Sequence, residues 1–355
     1  MRIIHVSDHR MQFNGMVHAA IDLACSQADL GHDVAFCSSS DDFSSLLDEH
    51  GVTTFDLRLP INSGTALTSL IQIYRAVRKF RPDIIHAHMT LSALLCYLVS
   101  KATRVPLVTC VQNSFSKYAP LMRVGQRVIT GCQAVADDMI KRGIPRQRVR
   151  PILNGTIGTA RHIAIGGQLT TRTEIVISRP AIITACGLHP RKGLPDLINA
   201  FIKAQHHIDH LNLYIFGGGP HEAEYKALAS GNHRIIFCGQ NSVLKPFLEA
   251  ADVFVLASLA DPAPLVICEA REAGLAIVAT AVDGIPELLE YGRAGILIPP
   301  SSPDSLAEEL VMLFEKEGAL ESWKENSQIG IEKLTVRRVA EATIGVYREI
   351  STGGF

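Results

Sequence analysis

Short apolar segments alternate with longer amphipathic segments along most of the chain. In the first half, apolar runs such as "RIIHVS" (2–7) and "DIIHAH" (83–88) are separated by segments with helical periodicity, such as "MVHAAIDLACSQADLG" (16–31) and "ALTSLIQIYRAVRKF" (66–80). Strands that are apolar at every position are typical of sheets with no solvent-facing side. The pattern therefore predicts parallel sheets covered by helices on both faces.

This alternation is interrupted once. Residues 154–179 are rich in Gly and Thr and show no sustained helical period, and the alternation resumes with "PAIITACG" (180–187). A chain of 355 residues also exceeds the size that one hydrophobic core usually reaches. We therefore predict an α/β fold class with two doubly wound, Rossmann-like domains facing each other across a cleft. The expected boundaries are 1–160, 161–335 and a C-terminal helix at 336–355 that packs back on the first domain.

Composition excludes several classes of protein. Hydrophobic residues make up 47% of the chain and charged residues 19%, which is ordinary for globular domains. The eight cysteines are isolated and mostly lie inside apolar runs, so we expect buried thiols in a reducing compartment rather than disulfides or a zinc site. The longest apolar segment, "LSALLCYLVS", is about half the length that spans a bilayer, and no signal peptide is evident. We expect a cytoplasmic protein.

The near-neutral net charge conceals an asymmetry between the two halves. Residues 1–161 carry 18 Lys and Arg against 12 Asp and Glu, a net charge of +6, whereas residues 162–355 carry 16 against 23, a net charge of −7. Most of the positive excess lies in 101–161, where 11 basic residues face only Asp137 and Asp138. Two interpretations are open: the first half binds an anionic partner, or its basic face is merely solvated.

Three loops of the second half carry candidate chemistry, because ligands of such sheets bind beyond the carboxyl ends of the strands. "GLHPRKG" (187–193) places Arg191 and Lys192 after a buried strand, and "FGGGPHE" (216–222) offers Gly217 and Gly218 as a tight turn close to a ligand. In the third loop, "DPAPLVICEAREAG" (261–274), the candidate binding residues are Asp261, Pro264, Leu265, Val266 and Glu269. Pro264 begins a helix whose free N–H groups favour an anion, whereas the two carboxylates suit hydroxyl groups. A ligand with hydroxyl groups on both sides of a diphosphate is a nucleotide sugar.

The second half resembles the retaining glycosyltransferase family 4 (glycosyl transferases group 1) of the GT-B fold. The resemblance is carried by Asp261, seven residues and Glu269, where the family has two glutamates, and by the whole block 251–310. It implies that Glu269 binds the ribose, that Asp261 binds the transferred sugar, and that the N–H groups of Leu265 and Val266 bind the diphosphate. It also implies that Lys192, with Arg191, meets the diphosphate charge.

The first half resembles the same family more loosely, through "GHDV", "PDIIHAH", "AVADDMIKRG" and "PILNG". By this resemblance Gly15 corresponds to a glycine that approaches the diphosphate from the first domain. The family usually has a His at the end of a central strand, where this chain has Gln112 or Asn113 in "VTCVQNS". We therefore take Gln112, Asn113 and the nearby His88 as candidates for contact with the reacting groups, beside Asp261.

The resemblance implies a hexosyl- or glycosyltransferase that uses a UDP- or GDP-sugar donor and needs no metal and no cofactor. The acceptor is expected to be a glycan, a lipid-linked glycan or a small molecule, as in polysaccharide or glycoconjugate biosynthesis, and no nucleic-acid partner is expected. The basic region 101–161 makes peripheral contact with the anionic inner face of a membrane an open alternative. Two other functions stay open: a catalytically inactive partner or scaffold subunit, and a nucleotide-sugar epimerase.

Overall fold

The computed structural model describes residues 1–10, 13–39, 42–58, 65–161, 175–241 and 243–351. The chain divides into two compact units. The first unit comprises Met1–Ala164 together with Thr335–Phe355, and the second comprises Ile165–Leu334.

Within the described ranges, helices and strands alternate along both units. In chain order the strands are β1 (Arg2–His9), β2 (Asp33–Ser39), β3 (Thr53–Asp56), β4 (Ile84–Ala87), β5 (Leu107–Val111), β6 (Arg127–Thr130), β7 (Val149–Pro151), β8 (Ala181–Ala185), β9 (Asn212–Phe216), β10 (Ile235–Gly239), β11 (Val253–Leu256), β12 (Ala276–Thr280) and β13 (Ile296–Ile298). The α-helices are α1 (Gly15–Asp29), α2 (Ser44–Glu49), α3 (Ala66–Phe80), α4 (Thr90–Thr103), α5 (Gln133–Lys141), α6 (Leu194–Ala204), α7 (Glu222–Leu228), α8 (Lys245–Ala250), α9 (Leu265–Glu272), α10 (Ile285–Leu288), α11 (Pro303–Glu315), α12 (Ala319–Asn326) and α13 (Val336–Ser351).

The first unit is built on a seven-stranded sheet with the order β3-β2-β1-β4-β5-β6-β7. All of its strand pairs are parallel, and the register aligns His5 of β1 with His86 of β4. Helices α1 and α13 pack against each other on one side of the sheet, and α3 and α4 pack against each other on the other side. The C-terminal helix α13 is therefore part of the first unit, and its Tyr347 is fully buried there.

The second unit repeats this architecture with a six-stranded parallel sheet in the order β10-β9-β8-β11-β12-β13. Its central strands β8, β11 and β12 are buried at every position, which explains their continuous apolar sequence. Helices α6 and α11 pack together and contribute to the main apolar cluster of the unit. In both units the strand order reverses direction next to the first strand, which is the point where doubly wound sheets bind ligands.

The prediction of two doubly wound α/β sheets is confirmed. The physical reason is that strands buried on both faces must be apolar at successive positions, so that sequence alone reveals them. No helix in the described part of the chain is both long enough and apolar enough to cross a membrane.

Candidate functional site

Four neighbouring strands of the second unit place candidate residues at one edge of the sheet. Strands β9, β8, β11 and β12 lie side by side and run parallel, so their carboxyl ends meet at the same edge. The loops that follow them carry, in that order, Gly217 to Gly219, Arg191 with Lys192, the 261–266 segment, and Asp283. Residues that are up to 92 positions apart in sequence (191 and 283) are therefore gathered in one place.

An ion pair between Lys192 and Asp261 lies at the centre of this edge. The Nζ of Lys192 donates to Oδ2 of Asp261, and the two side chains are only 14% and 7% exposed. Ser258 Oγ donates to the same carboxylate at 3.3 Å. The backbone N–H of Asp261 donates to Oδ2 of Asp283 at 2.7 Å, which holds the loop in place. The predicted cation and the predicted carboxylate thus contact each other directly.

Three glycines allow these loops to pack closely. Gly193 has a φ of +63°, and a Cβ there would lie 1.9 Å from the carbonyl oxygen of Ala257. Gly217 has a φ of +135°, and a Cβ there would lie 1.9 Å from the carbonyl oxygen of Cys186. A Cβ at Gly219 would lie 2.4 Å from the carbonyl oxygen of Leu188. Because real Cβ atoms do not approach oxygen so closely, these positions require glycine, whereas Gly218 would meet only the flexible side chain of Gln240, at 3.1 Å.

Helix α9 begins beside the ion pair without a side-chain cap. Pro264 occupies the N-cap position with an extended ψ of 119°, and the first turn contains no acidic residue. The amide groups of Leu265 and Val266 belong to this first turn, where backbone N–H groups have no partner within the helix. Glu269 lies one turn further on and is partly buried. The start of α9 therefore follows Asp261 of the ion pair closely, at Pro264.

Sequence reasoning missed Asp283 and His189. Asp283 sits in the loop after β12, and its only signal in sequence is its position behind a buried strand. His189 is partly exposed beside the cations, and burial, followed by the charges of Arg191 and Lys192, lowers its pKa. A neutral imidazole therefore accompanies the two cations at this edge.

In the first unit, His88 and Gln112 line one small cavity. The cavity has a volume of about 30 Å³, and Asn154 and His86 also border it. Gln112 Oε1 accepts a hydrogen bond from Asn154 Nδ2 at 2.9 Å, and Gln112 Nε2 donates to Cys110 Sγ at 3.3 Å. His88, Gln112 and Asn154 border the cavity just after the carboxyl ends of β4, β5 and β7, the end of the sheet where ligands of this fold bind.

The other candidates in the first unit have local roles. Asn113 lies outside the set of residues that border the cavity, and its Oδ1 accepts from the N–H of Phe115 at 3.0 Å, which forms a tight turn. Gly15 is the first residue of α1, and a Cβ there would meet no atom within 4 Å. Asp8, which sequence reasoning missed, accepts from the N–H of Ser92 at 2.8 Å, and burial raises its pKa.

Buried histidines continue inward from the cavity in a hydrogen-bonded chain. His5 Nε2 lies 2.8 Å from Gln27 Oε1, and His5 Nδ1 lies 2.9 Å from His88 Nε2. Tyr347 OH lies 2.6 Å from His86 Nδ1 and accepts from Gln27 Nε2 at 3.4 Å. Burial lowers the pKa of His5 to about 4 and the pKa values of His86 and His88 well below their usual range. All three imidazoles are therefore neutral near pH 7.

Neutral rings determine the direction of these hydrogen bonds. Because Gln27 Oε1 can only accept, His5 Nε2 carries the proton and His5 Nδ1 is an acceptor. His88 Nε2 must then donate to His5, which leaves the lone pair of His88 on Nδ1. A chain of buried side chains thus sets the tautomer of a residue that borders the cavity.

Among the His, Cys, Asp and Glu residues that the structure describes, these three histidines are also the group that could supply three metal ligands. One ring nitrogen of each lies within 4.8 Å of the others. However, the ring centroids of His5 and His88 are 5.1 Å apart and their planes differ by 22°. With His5 Nδ1 only 2.9 Å from His88 Nε2, the two rings lie edge to edge near a common plane, joined by a hydrogen bond that uses the lone pair of His5 Nδ1. Since His5 Nε2 donates to Gln27, neither nitrogen of His5 has a lone pair left for an ion, and the geometry is that of a hydrogen-bonded chain.

The structure reduces the number of basic residues in 101–161 that could form an exposed basic surface. Arg161 is buried and paired with Asp22, with Nε 2.7 Å from Oδ1, so it contributes nothing to a basic surface. Three more cations of the region are partly buried in ion pairs: Arg142 with Asp138, and Arg127 and Arg150 with Glu349. Hydrogen bonds from Arg150 hold the pKa of Glu349 below its ordinary value.

Comparison with known proteins gives the family. The family model described as Glycosyltransferase Family 4 matches residues 13–156, and the model described as Glycosyl transferases group 1 matches residues 179–316. An uncharacterized glycosyltransferase of Methanocaldococcus jannaschii is 23% identical over an alignment of 353 residues, which covers 90% of each chain.

Solved structures agree in fold. A glycosyltransferase from Rickettsia africae ESF-5 superimposes with a TM-score of 0.80 at 17% identity, covering 99% of each chain. Anabaena Alr3699/HepE in complex with UDP-glucose superimposes with a TM-score of 0.79 at 19% identity, covering 98% of this chain and 100% of that one. At these identities the likeness establishes the fold.

The neutral histidine chain predicts that acid destabilises the protein. His5 has an ordinary pKa of 6.5 when unfolded and about 4 when folded. Between these values the unfolded chain binds more protons, so the free energy of unfolding decreases as the pH falls from 6.5 towards 4. Calorimetry at pH 7.5 and 5 should show this decrease, and His5→Gln should make it smaller.

The matched control is His206→Gln, because His206 is exposed. The free energy of unfolding of His206→Gln should depend on pH as that of the wild type does. An identical pH dependence in wild type and His5→Gln would contradict the assignment of a buried neutral imidazole.

Proposed function

Because the chain belongs to the family 4 type of glycosyltransferases with the GT-B fold, we propose that it transfers a sugar from a nucleotide-sugar donor to an acceptor, with retention at the anomeric carbon. The observation that carries the proposal is the Lys192–Asp261 ion pair beside the uncapped start of α9. A cation, the amide groups at a helix start and carboxylates are the groups that a diphosphate flanked by hydroxyls would bind, which supports this proposal. The complex of Anabaena Alr3699/HepE with UDP-glucose supports a donor of this class.

Each residue of this edge has a role in the proposal. Glu269 accepts hydrogen bonds from the ribose hydroxyls of the donor, and Asp261 accepts them from hydroxyls of the transferred sugar. The N–H groups of Leu265 and Val266, with Lys192 and Arg191, bind the diphosphate. When donor binds, the ammonium group of Lys192 lies between the sugar-binding carboxylate and the phosphate oxygens, so it contacts both.

The chemistry then follows from the charges. The bond between the anomeric carbon and the diphosphate oxygen breaks, and its electron pair leaves with the diphosphate. Lys192, Arg191 and the start of α9 stabilise the negative charge that develops on the leaving group. The acceptor hydroxyl forms the new bond to the anomeric carbon on the face from which the diphosphate departs, and its proton passes to an oxygen of the departing diphosphate. In the first unit, His88, with its lone pair on Nδ1, and Gln112 are the groups that we assign to the acceptor.

A glycan, a lipid-linked glycan or a small molecule would serve as acceptor, because each supplies a hydroxyl. The reaction class can be tested before the acceptor is known. Purified protein is incubated with UDP-glucose, UDP-N-acetylglucosamine, UDP-galactose or GDP-mannose, and released UDP or GDP is measured with and without candidate acceptors. Acceptor-dependent release supports transfer. Conversion of the sugar without release of nucleotide indicates an epimerase, and absence of nucleotide binding indicates an inactive relative.

Glu269→Gln should weaken binding of the nucleotide while the fold is preserved. The variant loses the charge that the ribose hydroxyls contact, and a hydrogen bond to a charged group contributes about 1.5–3 kcal/mol, so we expect a roughly ten- to hundredfold higher Kd. Titration calorimetry with UDP or GDP measures this. Glu308→Gln on α11 removes an exposed carboxylate and serves as the control. Equal Kd values for the two variants would exclude the ribose role.

Transfer should proceed without a divalent cation. The leaving group is stabilised by Lys192, Arg191 and backbone amides in this proposal, so nucleotide release should be unchanged after dialysis against EDTA. Elemental analysis of the purified protein should accompany the assay, because His5, His86 and His88 are the alternative metal ligands. Loss of activity in EDTA that a divalent cation restores would contradict the metal-free mechanism.

A further inference from the structure

Exposed apolar side chains are concentrated on one side of the first unit. Eight of the fourteen exposed large hydrophobic residues in the described part of the chain lie between positions 67 and 121. They belong to α3, α4 and the segment that contains the 3₁₀ helix Ala119–Val124, and α4 packs against both of the other elements. We call this surface the α3–α4 face; its eight residues are Leu67, Ile71, Tyr74, Tyr97, Leu98, Phe115, Tyr118 and Leu121.

The spacing of the exposed residues on α3 shows that this helix has a second apolar stripe. Leu67, Ile71 and Tyr74 are four and three positions apart, so they share one side of α3 and point away from its buried side. Leu67 is 68% exposed, and Leu98 on the neighbouring α4 is 52% exposed. Isolated exposed hydrophobic residues are normal, but a contiguous group on adjacent helices marks an interaction surface.

The charge of this face is almost entirely positive. Residues 66–127 contain nine Lys and Arg and one acidic residue, Asp83. Asp83 accepts a hydrogen bond from the backbone N–H of Arg2 at 2.7 Å, so it is engaged at the start of β1. Arg78, Lys101 and Arg104 lie at the C-terminal ends of α3 and α4. Helices that connect parallel strands run back along the sheet, so these cations lie at its amino-terminal edge.

A groove of about 790 Å³ opens at this edge, in front of the first residues of β5, β6 and β7. It is lined by Tyr97, Lys101, Arg123, Arg127, Arg148 and Glu349, among others. Glu349 is already paired with Arg127, which leaves Lys101, Arg123 and Arg148 as the cations that face the groove without a carboxylate partner among the described residues. Tyr97 and Lys101 belong both to the groove and to the exposed side of α4, so the two features are continuous.

We propose that the α3–α4 face and this groove dock the protein on the surface of an anionic phospholipid bilayer. The apolar side chains of α3 and α4 enter the interface between headgroups and acyl chains, and Lys101, Arg123 and Arg148 bind headgroup phosphates. The charge selects this occupant, because an apolar face bordered by cations, whose acids Asp83 and Glu349 are engaged with Arg2 and Arg127, matches an anionic lipid surface. A second copy of the chain would bring the same cations against each other. The proposal concerns the first unit alone and does not require the proposed transfer reaction.

Co-sedimentation with vesicles tests the proposal on the full chain. One set of vesicles contains phosphatidylcholine only, and the other contains roughly 30% phosphatidylglycerol. We expect binding to the anionic vesicles, little binding to the neutral ones, and a marked loss of binding between roughly 0.1 M and 0.5 M salt.

Two double variants separate the two contributions. Lys101→Glu/Arg104→Glu should weaken binding to anionic vesicles roughly tenfold or more, because each cation near the leaflet adds to binding. Ile71→Ser/Leu98→Ser should weaken binding while its dependence on salt is retained. The matched control, Lys203→Glu/Lys316→Glu, makes the same change of charge at exposed positions of the second unit and should bind as the wild type does. Thermal unfolding checks that each variant is folded.

Three outcomes would overturn the proposal. The first is absence of binding to anionic vesicles, or equal binding to both kinds. The second is equal loss of binding in the control and in Lys101→Glu/Arg104→Glu, which would indicate attraction by overall charge. The third is a wild type that dimerises in solution and becomes monomeric as Ile71→Ser/Leu98→Ser, which would identify the face as a protein interface. Release of nucleotide by the same preparations is measured in parallel, so that failure of docking and failure of transfer are distinguished.

Discussion

The second unit depends on one interaction at the edge of its sheet, the ion pair between Lys192 and Asp261. Both side chains are largely buried, so each charge needs the other, and removal of either partner would leave an uncompensated charge. The pair can form because Gly193 lets the loop after β8 approach the backbone at Ala257, and because Asp283 holds the N–H of Asp261. The contacts that stabilise this edge are thus the ones that place a cation and a carboxylate beside the start of α9.

At the candidate site of the first unit, side chains are held in place by a chain of hydrogen bonds. There the histidines are neutral, and a chain of hydrogen bonds from Gln27 through His5 to His88 determines which nitrogen of His88 bears the proton. Burial makes this possible, since it lowers the pKa values of these histidines. Tyr347 of the C-terminal helix closes the arrangement by contacting His86. The end of the chain therefore contributes to a site formed mainly by residues from its beginning.

The sequence was sufficient for the fold, because strands buried on both faces leave short continuous apolar runs between segments with helical periodicity. It also predicted that Lys192, Asp261 and the start of α9 lie in the segments after buried strands, where the structure has them. It could not show the ion pair, which depends on the order of β8 and β11 in the sheet. The histidine chain was missed because His5 lies within a strand, where sequence does not distinguish a hydrogen-bonded histidine from a core residue. The charge count likewise included Arg161 in the basic region, although this side chain is buried and paired with Asp22.

The central claim is that the Lys192–Asp261 edge binds a nucleotide sugar. The most direct measurement is the thermal stability of the protein with a panel of UDP- and GDP-sugars, for the wild type and for Lys192→Ala/Asp261→Asn. The double variant removes both charges, so no unpaired buried charge remains. A ligand at about a hundred times its Kd adds about 2.7 kcal/mol to stability. We predict that at least one nucleotide sugar raises the Tm of the wild type and not that of the variant. An equal rise in both, or no rise with any nucleotide sugar, would contradict the account.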